Sequence, residues 1–77
     1  MHEYTLILEP DLEEGGYVVT VPALPGFVTQ GDTYEEAIAM AKDAIAGDIE
    51  SLKLAGEPIP EVTVPPQIAK VRVAAWP

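Results

Sequence analysis

The residues best equipped for chemistry in this chain are carboxylates. Asp11, Glu13 and Glu14 fall within six positions that also hold Gly15 and Gly16, while Glu35 and Glu36 open a second segment that Asp43 continues. Oxygen ligands so close together can hold a hard cation, but the EF-hand spacing and its terminal bidentate glutamate are absent. The loop therefore reads either as a solvated acidic hairpin or as a weak cation site. The single histidine, His2, adjoins the initiator methionine and is poorly placed to serve as a general base. Ser51 is the only serine, and no histidine or lysine is arranged to activate it. Gly15-Gly16 does not lead from a strand into a helix, so the amide cradle of a phosphate site is not expected. No residue is assigned to catalysis, to a cofactor or to a metal.

Charge and length narrow the partner class. Thirteen acids against four bases give a net charge of -9 at neutral pH, a field that repels nucleic acid and anionic membranes and attracts a basic protein. A chain of 77 residues reads as one domain, residues 1–77, and at this size only about 60% of the unfolded surface is buried on folding. With no cysteine, disulfides and thiolate metal sites are excluded, which leaves oligomerisation as the route to a larger core. The first ten residues lack a basic leader and a long apolar run, and no stretch reaches the roughly 20 apolar residues of a membrane span. A cytoplasmic protein is expected. The lack of asparagine and the eight prolines are compatible with a heat-adapted source.

The elements that must position the carboxylates follow from periodicity and turn chemistry. Residues 4–9 alternate, with Tyr4, Leu6 and Leu8 on one face and Thr5, Ile7 and Glu9 on the other, as a strand requires. Residues 11–16 form a hairpin loop with a residue at positive φ. A second strand then runs from Tyr17, with Tyr17, Val19 and Val21 on its apolar face, and Pro22 closes it. Pro25-Gly26 at the centre of a type II turn folds a third strand, residues 26–30, back antiparallel. Thr33 and Glu36 make a capping box, in which the Thr33 hydroxyl accepts from the Glu36 amide and the Glu36 carboxylate reaches back to the Thr33 amide. Glu35 and Glu36 also suit the positive end of the helix dipole.

The spacing predicts a helix over 34–55, with Tyr34, Ala37, Ile38, Ala41, Ile45, Ile49 and Leu52 on the core side. Gly56 caps it, and Pro58 and Pro60 prevent continuation. A short apolar run at residues 62–64 and a Pro65-Pro66 break precede a fourth strand over 68–75. There Ala69, Val71, Val73 and Ala75 face one way, and Ile68, Lys70, Arg72 and Ala74 the other. Lys70 and Arg72 read as solubilising edge charges, too few for a nucleic-acid stripe. The fold class is α+β, in the order β-β-β-α-β.

Gly47 is out of place in a helix, where it costs about 1 kcal/mol relative to alanine. It lines up with Met40 and Leu54 at seven-residue intervals, off the core stripe. Two readings stay open: scattered exposed apolar residues, or a contact surface on which Gly47 lets another subunit approach. The second fits a homodimer or a dimer of dimers.

The segment GGYVVTVPALPGFVTQGDTYEEAIAMAKDAI, residues 15–45, resembles the HicB-like antitoxin family. The likeness rests on a glycine-containing hairpin before a tyrosine, a strand ending in proline, then Leu-Pro-Gly, Gly-Asp-Thr and Glu-Glu-Ala, within a match spanning residues 3–55. It implies a three-stranded antiparallel sheet, a helix and a fourth strand, similar to a truncated ribonuclease H core. It also implies a small basic HicA-like toxin that cleaves messenger RNA as the partner to be neutralised. Phe27 stands where the family often has cysteine. Many members carry a C-terminal DNA-binding segment, for which residues 56–77 leave no room, so direct DNA binding is not expected. The ribonuclease-like carboxylates are also missing from the strand faces, where Glu9 stands alone. The expected toxin-facing surface is Asp11, Glu13, Glu14, Glu35, Glu36 and Asp43. A stand-alone oligomeric module, with or without a small ligand, is the alternative.

Overall fold

A computed structural model describes residues 2–61 and 65–76. Three strands, β1 (Ile7–Pro10), β2 (Tyr17–Thr20) and β3 (Val28–Gly31), precede one helix, α1 (Tyr34–Leu54). The sheet is antiparallel in the order β1-β2-β3, with Leu8 opposite Val19 and Val19 opposite Thr29. This is the α+β arrangement that the turn chemistry demands. Strand edges differ from expectation: β1 starts at Ile7 instead of Tyr4 and ends at Pro10, opposite Tyr17, and β3 starts at Val28 and takes in Gly31.

The turns form as their residues require. The Phe27 amide donates to the Leu24 carbonyl at 3.0 Å, and Gly26 has φ of 85°, a type II turn. In the first hairpin both Gly15 and Gly16 have positive φ, 81° and 74°, where only one such residue was expected. Thr33 caps α1 by accepting from the Glu36 amide at 3.0 Å. The return bond differs from the predicted box: the Glu36 carboxylate accepts from the Asp32 amide at 3.2 Å, one residue earlier than Thr33. Thr33→Ala should cost about 1 kcal/mol, read as a lower thermal midpoint with unchanged helical circular dichroism. At the other end the Glu57 amide donates to Leu52 and the Gly56 amide to Lys53, with Gly56 at φ 69°. These two bonds make a Schellman cap.

The core lies between α1 and the sheet. Val19, Ala37 and Ala41 form one buried cluster, backed by Leu6, Leu8 and Tyr17. Val21, Leu24 and Ile45 form another, with Tyr4, Phe27 and Ile49 against it. Tyr34 departs from its expected place on the core stripe. It is half-exposed, and its ring meets Tyr17 edge-on with centroids 6.1 Å apart. As the first helical residue it stands at the rim, where an aromatic pair covers the core end without filling it.

The fourth strand expected over 68–75 does not join this sheet, which has three strands among the described residues. Residues 65–76 are exposed throughout and belong to no ladder, because a strand forms only against an edge that its backbone reaches. The apolar run at 62–64 lies outside the described residues.

Candidate functional site

Strand register brings the two acidic segments to one end of the domain. Tyr17 pairs with Gly31, so the hairpin before Tyr17 and the helix start after Gly31 are neighbours. The contact is tight: a side chain placed on Gly16 would strike the Gly31 carbonyl and come within 3.0 Å of the Asp32 Cα. Gly31 is in turn pressed against the first turn of α1, where an added Cβ would lie 2.6 Å from the Ala37 Cα and 2.9 Å from the Glu36 carbonyl carbon. Two glycines, Gly16 and Gly31, thus bring the hairpin, β3 and the helix start together.

The six expected acidic residues divide by what their side chains do. The Asp11 carboxylate accepts from the Glu13 and Glu14 amides at 3.1 and 3.0 Å, and backbone bonds between Asp11 and Gly15 and Gly16 close the loop. Asp11 therefore shapes the hairpin, as Glu36 shapes the helix start. Glu13, Glu14 and Glu35 are exposed, and among the described residues their carboxylates take part in no side-chain hydrogen bond or ion pair. Asp43 stands about 10 Å further along the helix axis than Glu36, at 1.5 Å per residue, and belongs to the helix flank. Asp32 joins the acidic end, although sequence spacing alone does not single it out. Its position follows from the Gly16 approach, which only the register shows.

The expected assembly line is also on the surface. Met40 is half-exposed, Leu54 exposed, and the space beside Gly47 is open. Gly47→Ala meets nothing and should stabilise the helix by about 0.5–1 kcal/mol, seen as a higher denaturation midpoint.

Sequence reasoning missed an open apolar groove of about 310 Å³ beside β1. Tyr4 and Leu6, in the lead-in to β1, form one side, and Ile38, Ile45 and Ile49 the helix side. The only available signal was Ile38, at the margin of the helical stripe. Near its mouth the Tyr4 hydroxyl donates to the Pro60 carbonyl at 2.6 Å, and His2 Nδ1 lies 3.4 Å from Glu61 Oε1. Burial, with the nearby Glu61 charge second, raises the Tyr4 pKa above its ordinary value. Tyr4 thus stays a hydrogen-bond donor through the neutral range. Its contribution to stability is present below the ordinary tyrosine pKa and is lost as pH rises through the higher folded value.

Among the described residues no group of three or more His, Cys, Asp or Glu side chains is placed to hold a metal ion, and no helix is long and apolar enough to cross a membrane. What the domain offers is an acidic end on a small α+β scaffold. A family described as HicB_like antitoxin of bacterial toxin-antitoxin system matches residues 4–74, and the chain belongs to that family. A UPF0150 protein of Thermoplasma acidophilum is 52% identical over 67 residues, covering 80% of this chain and 96% of that one. Antitoxin HicB 1 of Photorhabdus laumondii is 49% identical over 57 residues, covering 74% of this chain but only 36% of that protein. A UPF0150 protein of Synechocystis is 44% identical over 61 residues, covering 79% of this chain and 76% of that one.

Proposed function

We propose that this chain binds and neutralises a small basic, mRNA-cleaving HicA-like toxin without catalysing a reaction itself. The observation that carries the reading is the joining of the acidic hairpin to the acidic helix start, in a member of an antitoxin family with a net charge of -9. A cationic RNA-binding face would be drawn to Glu13, Glu14 and Glu35, with Asp43 extending the contact along the helix. Charges of this kind speed encounter and set orientation, while a few desolvated apolar groups hold the complex. A pull-down from source lysate at low salt should recover a small basic protein that cleaves RNA when freed. Its absence, where a gene for such a protein adjoins this one, counts against the reading.

The exposed Met40, Gly47 and Leu54 line favours a second property, self-association into a homodimer or a dimer of dimers. Gly47→Trp should then shift sedimentation toward smaller species. An unchanged profile assigns assembly to another surface.

A further inference from the structure

We propose that residues 68–75 are an exchanged strand, which leaves its own domain and completes the sheet of a second copy along β1. This stands on different residues from the toxin-binding reading and survives its failure.

The segment has the pattern of a half-buried strand without the burial. Ile68, Val71, Val73 and Trp76 are 91%, 85%, 79% and 89% exposed, a concentration of large apolar surface that a solvated tail does not need. The segment also projects from the body. The Cα radius of gyration is 15.5 Å and the longest dimension 56 Å, against 28 and 18 Å across, whereas a compact chain of this length has a radius near 11–12 Å. Tyr4 holds the carbonyl of Pro60, and Pro65 lies beside Glu3 and Thr5. The tail therefore begins beside the lead-in to β1. Twelve extended residues reach about 40 Å, enough to cross a neighbouring domain.

The β1 edge is the matching receptor. Among the described residues no strand pairs with its outer side, the sheet order being β1-β2-β3, and α1 packs over β3 and β2. That offset leaves the groove between Tyr4 and Leu6 on one side and Ile38, Ile45 and Ile49 on the other. An added strand that turns Val71 and Val73 into this groove must, by its two-residue period, turn Lys70 and Arg72 to the opposite face. That face carries Ile7 and Glu9 of β1, so the bases arrive where a cross-strand acid stands, whichever direction the strand runs. Charge agrees over the whole molecule: residues 65–76 contain Lys70 and Arg72 and no acid, while all thirteen acids and the other two bases lie in residues 1–61. Each copy both gives and receives a strand, so the exchange closes as a two-fold dimer.

The test is an isotope-filtered NOE experiment on the full chain. Labelled (13C) and unlabelled protein are unfolded together in equal amounts, refolded and examined beside sedimentation. Contacts between the Val71 and Val73 methyls of one chain and the Leu6, Ile38 and Ile45 methyls of the other, in a dimer at micromolar concentration, are expected. The same contacts within one chain only, or no contacts from Val71 and Val73, overturn the exchange. A Val71→Asp, Val73→Asp double variant should become monomeric while retaining its helical circular dichroism. A variant that keeps both dimer and helix overturns it too.

Discussion

Gly31→Ala is expected to destabilise the domain by about 3 kcal/mol, the upper end of the usual cost of overpacking. The reason is spatial, since Gly31 is not among the residues with positive φ. Its missing side chain is the space occupied by the Ala37 backbone, with the Ala37 Cα at 2.6 Å and the Glu36 carbonyl carbon at 2.9 Å from an ideal Cβ. Backbone inside a capped helical turn has no rotamer through which to yield, so the helix start must lift from β3. Lifting it strains the Thr33 cap and opens the Val19, Ala37 and Ala41 cluster. In a domain of this size the thermal midpoint should fall by on the order of 15 °C. Gly15→Ala is the control, because Gly15 also lacks a side chain but faces open space. Its cost is confined to a left-handed backbone, about 1 kcal/mol. Equal midpoints for the two variants, measured at one protein concentration, would contradict the steric account.

The second large effect concerns binding. Reversing Glu13, Glu14 and Glu35 to lysine should slow association with the proposed basic toxin by about tenfold or more at low salt, with the difference shrinking toward 1 M salt. These three are chosen because their carboxylates take part in no side-chain hydrogen bond or ion pair among the described residues. The variant should therefore fold almost as well as the parent, apart from a lost helix-dipole contribution at Glu35 of about 0.3–1 kcal/mol. Asp11→Ala and Glu36→Ala behave differently, since each removes an acceptor that the backbone uses. They should lower stability before they change the rate. Stopped-flow association across a salt series separates the two groups.

Much of this architecture is legible in local chemistry. Pro25-Gly26 set a type II turn, Thr33 capped the helix and Gly56 ended it, because each depends on residues a few positions apart. The acidic surface was legible as a set of residues but not as a division of labour. That Asp11 serves the loop, and that Asp32 lies against Gly16, follow from hydrogen bonds and strand register that periodicity does not encode. Gly31 falls just past the third strand expected over 26–30, and its role as a spacer for the helix needs the third dimension. Tyr34 shows the limit of a helical wheel, which assigns a face without saying where the sheet beneath it stops. The tail is the largest departure. Its alternation is that of a strand, yet residues 65–76 join no ladder, because alternation names two faces and does not supply the edge that pairs with them.

On the proposed reading this acidic domain silences a basic ribonuclease by occupying it. The measurement is mRNA cleavage by the proposed partner, a small basic HicA-like protein, titrated with the purified chain. Cleavage should fall to background as the two proteins reach equal site concentrations and return when Glu13, Glu14 and Glu35 are reversed under low salt. Undiminished cleavage at a several-fold excess of the parent chain, with no complex by sedimentation, would contradict it.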